Sequence, residues 1–182
     1  MIKTDTIIAL ATPPGMGAIS VIRLSGKDSI IISNKLFKSL NNTDLINQNT
    51  HTISLGYIKD SDITIDKVLI SVFKAPKSYT GENIVEISCH GSVFIQQKII
   101  DLFTVNGCRL ADPGEFTLRA FLNGKMDLSQ AESVADLISS TSESSHKIAM
   151  DHMRGGFSND IKLLREELLN FASLIELELD FS

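Results

Sequence analysis

The chemistry open to this sequence rests on three charged residues in uncommon settings: Arg23, Glu86 and Lys125. Arg23 lies in AISVIRLSG (18–26), an alternating segment in which Ile19, Val21 and Arg23 share one face. An arginine on an apolar face needs a carboxylate, an opening to water or an anionic ligand. Glu86, in NIVEISC (83–89), poses the same question with the opposite sign. It falls in mid-strand near a strand-to-helix junction, where α/β proteins often place ligands, and it could instead pair with Arg23 across a sheet. Lys125 belongs to ADPGEFTLRAFLNGKMDLSQAE (111–132). There Asp112, Pro113 and Glu115 have the spacing of a helix start, Asn123-Gly124 reads as a helix stop, and Ser129 with Glu132 reads as a second start. A cation between two such signals is held at a fixed position.

Other chemistries find less support. PPGMGA (13–18) lacks the third glycine of a dinucleotide fingerprint and precedes a strand, so it reads as a tight turn. No G-x-x-x-x-G-K-[ST] loop occurs, and His51, His90, His146 and His152 show no i, i+4 pairing that would suggest a metal. Cys89 and Cys108 have no C-x-x-C partner and read as buried free thiols. Cys89 and His90 cannot act as nucleophile and base, because adjacent strand residues point to opposite faces. His90 reads as a loop or capping histidine and Glu82 as solvated. No catalytic set is expected.

The elements that must position the three charges follow from periodicity. DTIIALAT (5–12) and AISVIRLSG are strands separated by Pro13-Pro14-Gly15. Lys27 to Leu40 has helical period, with Ile32, Leu36 and Leu40 in one stripe and Asp28 near the first turn. HTISLGYI and ITIDKVLISVF form a hairpin, NIVEISC a further strand, 92–107 an amphipathic helix stopped by Asn106-Gly107, and CRLA a short last strand. From Ser129 onward the pattern is helical: SSTSESSH (139–146) reads as a polar face within a long helix, and Gly155-Gly156 as a break. The final helix keeps apolar residues to its last turn, which predicts that a partner or further chain covers them. The expected architecture is α+β: a mixed-sheet α/β domain over 1–120, then a helical segment over 121–182.

The 182 residues are 43% hydrophobic and 6% aromatic with no Trp, giving an aliphatic core. A formal charge of -5 argues against a free-standing nucleic-acid binder. The N-terminal apolar run is too short for a signal peptide and no segment reaches membrane-spanning length, so a reducing, cytoplasmic setting is expected.

Four segments resemble one family: DTIIALATPPGMGAISVIRLSG (5–26), SYTGENIVEISCHGS (78–92), DPGEFTLRAFLNGKMDLSQAESVADLI (112–138) and GGFS (155–158). They are similar to the bacterial and organellar tRNA modification GTPases called TrmE or MnmE. The resemblance implies an N-terminal tetrahydrofolate-binding and dimerising α/β domain, then a helical domain that is interrupted in the family by a GTPase domain. It implies that GTP, Mg and K belong to that domain and that these 182 residues do not hydrolyse GTP. It further implies a homodimer, the partner MnmG (GidA), and a role in carboxymethylaminomethyl modification of the tRNA wobble uridine. The family's folate-contacting positions fall on Arg23, Glu86 and Lys125, with a 5-formyl- or methylene-tetrahydrofolate as the ligand. A scaffold that dimerises without binding a ligand is the alternative.

Overall fold

Alternation of aliphatic and polar residues makes strand the main regular structure of the first half, as a computed structural model shows; it describes residues 5–180. The chain divides into two units, one through Lys125 and the other from Met126. The first holds a seven-stranded mixed sheet: β1 (Ile7–Leu10), β2 (Ile19–Ser25), β3 (Phe37–Ser39), β4 (Thr52–Asp60), β5 (Ile63–Phe73), β6 (Ile84–His90) and β7 (Arg109–Leu110). Their order is β3-β4-β5-β6-β2-β1-β7. Only the β1–β7 pair is parallel; the remaining pairs are antiparallel.

One face of the sheet is closed by α1 (Ser29–Leu36) and α2 (Val93–Val105). Ile22, Leu24, Val68, Ile70, Val85 and Ile87 meet Ile30, Leu36, Ile99 and Phe103 there in a single buried cluster. Cys89 and Cys108 belong to that cluster, are free, and have their thiols pushed up by burial to about 11 and about 12. They are inert fillers at neutral pH. The opposite face is covered at one end by the loop 74–82 and by α3 (Glu115–Leu122), beneath which Ile7, Ile84 and Ala120 are fully buried. Elsewhere that face is open: Ile19, Ile53 and Leu69 are 67%, 68% and 45% exposed.

The sequence and the structure differ at four places in local detail. The expected helix over 27–40 stops at Leu36, because Phe37 to Ser39 pair with Ile58 to Gly56 and Phe37 enters the core. α3 starts at Glu115 rather than Pro113; its N-cap is Gly114 at φ +75°, and Asp112 makes no side-chain cap. Glu115 still reaches back to accept the Asp112 N–H at 2.8 Å, so half of the expected box exists. In the second unit α4 (Leu128–Ser139) opens on a capping box of Asp127 and Gln130, not Ser129 and Glu132. SSTSESSH does not run through a long helix: the chain breaks after Ser139, and Ser142 caps α5 (Glu143–Met153) with Ser145.

Gly155, at φ +83°, then separates α5 from α6 (Gly156–Asp180). α6 exposes Ile161, Leu164, Leu168, Phe171 and Ile175. No described helix is long and apolar enough to cross a membrane.

Candidate functional site

β2 and β6 are antiparallel with Arg23 opposite Glu86, so strand register alone puts the two side chains on one rung of the open face. Arg23 donates to Glu86 Oε1 from Nε at 2.8 Å, and its Nη2 lies 2.7 Å from the same oxygen. The two side chains remain 28% and 25% exposed. Among the described residues no protein partner is seen for Arg23 Nη1 or Glu86 Oε2, which leaves one donor edge and one acceptor on the pair. Two rings flank the guanidinium: Tyr79 at 5.5 Å and Phe116 at 5.7 Å from Cζ to the ring centre, within cation–π range.

Tyr79 comes from the loop 74–82 and Phe116 from α3, and the same two segments fix Lys125. α3 ends in a Schellman motif: Gly124, at φ +67°, donates its N–H to Phe121 O and Lys125 donates to Ala120 O at 2.8 Å. The Lys125 stem then crosses Gly81, where an added Cβ would stand 3.3 Å from its Cγ. Gly81 is at φ +78° as well, so a side chain there is disfavoured twice. Lys125 Nζ donates to Pro76 O at 3.1 Å and is otherwise exposed. Tyr79 and Thr117 share a hydroxyl hydrogen bond of 2.9 Å, and Asn123 donates to Thr80 O at 2.7 Å. The loop and α3 therefore act as one wall beside the Arg23–Glu86 rung.

Behind the wall lies a second set of charges that sequence reasoning missed. Arg119, 5% exposed in its side chain, donates to Asp5 O at 2.8 Å and Asp5 Oδ1 at 2.9 Å, to Glu115 Oε1 at 3.0 Å and to Glu82 Oε2 at 3.2 Å. Arg109 donates to Glu115 Oε1 at 2.6 Å and to Asp5 Oδ2 at 2.5 Å. Burial pushes the Glu115 carboxyl up, but bonds from Arg109, the Asp112 N–H and Arg119 outweigh it, and it falls to about 2. Asp5 falls to about 2, chiefly through its bond from Arg109. Glu82, expected to be solvated, is instead held by Arg119 and by Ser25 Oγ at 2.7 Å. The available signal was the i, i+4 pair of Glu115 and Arg119, which elsewhere is an ordinary surface feature.

The remaining candidates stay apart from this site. His90 ends β6, and Asp66 accepts its backbone N–H at 2.8 Å and lies 2.6 Å from its Nδ1. Pro13 to Ala18 form the turn between β1 and β2, with Gln96 donating to Gly15 O at 3.0 Å. No cluster of three or more metal-ligating side chains exists among the described residues.

Fold and site together define an α+β protein: a mixed-sheet unit whose open face carries a charged, ring-flanked rung, followed by an all-helical unit. Comparison with known proteins matches residues 6–125 to a domain described as the GTP-binding protein TrmE N-terminus and residues 128–182 to the MnmE helical domain. The tRNA modification GTPase MnmE of Flavobacterium johnsoniae is 68% identical over 182 residues, covering 100% of this chain and 39% of that protein. Those of Cytophaga hutchinsonii and Bacteroides thetaiotaomicron are 56% and 55% identical over 179 residues, 98% of this chain and 38% of theirs. The chain belongs to the MnmE (TrmE) family and corresponds to its N-terminal and helical regions. It spans 39% of the length of the Flavobacterium johnsoniae relative.

Proposed function

We propose that this chain binds a one-carbon tetrahydrofolate, of the 5-formyl or methylene type, through Arg23, Glu86 and Lys125. The observation that carries this reading is the Arg23–Glu86 rung set between Tyr79 and Phe116, with Lys125 tethered to the loop that supplies Tyr79. A pteridine edge offers adjacent N–H donors and a carbonyl acceptor. The free Glu86 oxygen suits the donors and the free Arg23 edge suits the carbonyl. Lys125, exposed and backbone-anchored, answers the carboxylates of the glutamate tail. Because these groups are fixed before the ligand arrives, little ordering opposes binding. When bound, the folate supplies the one-carbon unit.

Two copies associate through the open sheet face, where exposed Ile19, Ile53 and Leu69 offer apolar surface to a second copy. The homodimer works in the cytoplasm with MnmG (GidA) and tRNA, in carboxymethylaminomethyl modification of the wobble uridine. GTP hydrolysis, with its Mg and K, belongs to a GTPase domain outside these residues.

Titration calorimetry with 5-formyl-tetrahydrofolate tests the ligand: wild type gives saturable heat, and Arg23→Ala and Glu86→Gln each weaken binding at least about tenfold, equivalent to about 1.4 kcal/mol. A dimerisation scaffold without a ligand is favoured by one feature, the ion pair that Arg23 and Glu86 already make with each other. Absence of heat from wild type, with Arg23→Ala indistinguishable from it, would favour that scaffold.

A further inference from the structure

The Arg119 cluster has no bond to Arg23, Glu86 or Lys125 among the described residues, yet it grips the segment that carries Tyr79. Glu82 is the link. Its backbone carbonyl accepts from Ser78 Oγ, and its N–H donates to Thr80 Oγ1 at 3.2 Å. Its carboxylate takes bonds from Ser25 on β2 and from Arg119 on α3. Ser25 also shares a 2.7 Å hydrogen bond with Thr80. Residues 78–82 are thus closed on the backbone of Glu82, and the cation facing its carboxylate is buried on the helix that supplies Phe116 and leads to Lys125.

We propose that Glu82 and Arg119 are positioning residues of the ligand site: their ion pair sets where the Tyr79 ring stands over Arg23, and hence the shape of the wall. This rests on the folate reading only for the identity of the ligand; the placement of Tyr79 is a property of the chain by itself. The Arg119 side chain is buried and Glu82 is partly buried, and Asp5, Glu115 and Ser25 also bond to the two side chains, so the pair has one good geometry and weakening it shifts the loop as a body and not one side chain. Tyr79, bonded to Thr117 on the neighbouring helix, moves with it.

The test uses the full chain labelled with 3-fluorotyrosine. The Tyr79 and Tyr57 fluorine resonances are assigned as those lost in Tyr79→Phe and Tyr57→Phe. Glu82→Gln keeps the shape and an acceptor for Ser25 but removes the charge facing Arg119. It is expected to shift or broaden the Tyr79 resonance while leaving that of Tyr57 in place, and to weaken 5-formyl-tetrahydrofolate at least about tenfold. Uniform loss of stability would move neither native resonance selectively, so the fluorine signal separates positioning from general damage. Arg119→Lys, which keeps the charge but not the fork, gives an intermediate Tyr79 shift. Should Tyr79 be unmoved and the affinity of Glu82→Gln stay within twofold of wild type, the proposal is overturned. Should wild type bind no folate while Tyr79 still shifts in Glu82→Gln, the folate reading falls and the positioning role stands.

Discussion

Glu86 and Ile87 are neighbours on β6 that live in different environments. Ile87 points into the closed face, where register places it between Ile22 on β2 and Ile70 on β5, all three without solvent exposure. Glu86, one residue earlier, joins a rung running from Arg23 through Glu86 and Ser71 to Ile53, each partly or wholly open to solvent. A single residue step separates a rung of matched aliphatic side chains from one that carries an ion pair, a hydroxyl and an exposed isoleucine. The closed face supplies stability without selectivity for any ligand. The open face gives up apolar burial and holds donors and acceptors in fixed register, which is what recognition requires. Strand pairing serves both, since a slip of one residue would exchange the two faces.

The largest test of that contrast is Ile87→Ala. It removes a fully buried side chain from a packed rung and is expected to cost about 2–5 kcal/mol in denaturant unfolding. A loss under about 1 kcal/mol would mean that the closed face is not the main source of stability. Next comes the charge cluster beneath the covered end of the open face. Glu115 has its folded pKa depressed from 4.5 to about 2, so its contribution is complete above about pH 4.5 and is lost as pH falls toward 2. Glu115→Gln should lower stability at pH 7 by about 2 kcal/mol and flatten the fall between pH 4.5 and 2. Asp5, depressed to about 2, keeps part of the slope. An unchanged acid limb in urea titrations at pH 7 and pH 3 would show that Glu115 is not paired in solution.

Most of the sheet was legible because its strands alternate and its breakers are strong: the β4–β5 hairpin, β6 and α2 fall where pattern places them. β3 was not, since Leu36 and Leu40 mimic a continuing helix and only pairing with β4 decides otherwise. Helix starts were legible in kind but displaced by about one turn or less, because Asp127, Ser129 and Asp112 all have capping chemistry and local sequence does not rank them. Arg23, Glu86 and Lys125 stood out as candidates because charged residues are anomalous at those places. Tyr79 and Phe116 did not: 37 positions separate them, and neither stands out from a core aromatic until both are seen within cation–π range of Arg23. Arg119 and Glu82 escaped for a related reason, since a helical arginine and a loop glutamate are ordinarily solvated.

On the open rung the expected stability effects are smaller. Arg23→Ala leaves Glu86 a quarter exposed and able to recover water, so unfolding free energy should change by less than about 1 kcal/mol. The same substitution is the one expected to weaken folate at least about tenfold. A variant that lost stability and affinity in parallel would show that the rung belongs to the core's energetics, and the contrast between the faces would fail.

The smallest effect on the folded unit is expected at Leu69, on the open face and paired across the sheet with Leu55. In the single chain Leu69→Asp removes only a half-exposed cross-strand contact with Leu55, so its unfolding should shift by about 0.5 kcal/mol. In the proposed homodimer the same residue is buried against a second copy, where an unpaired carboxylate is costly to desolvate. Sedimentation should therefore show monomers for Leu69→Asp at concentrations where wild type is dimeric. Thermal stability measured well below the dimer's dissociation constant should not separate the two. If Leu69→Asp remains dimeric, the open face is not where copies meet, and its exposed Ile19, Ile53 and Leu69 must answer to another surface.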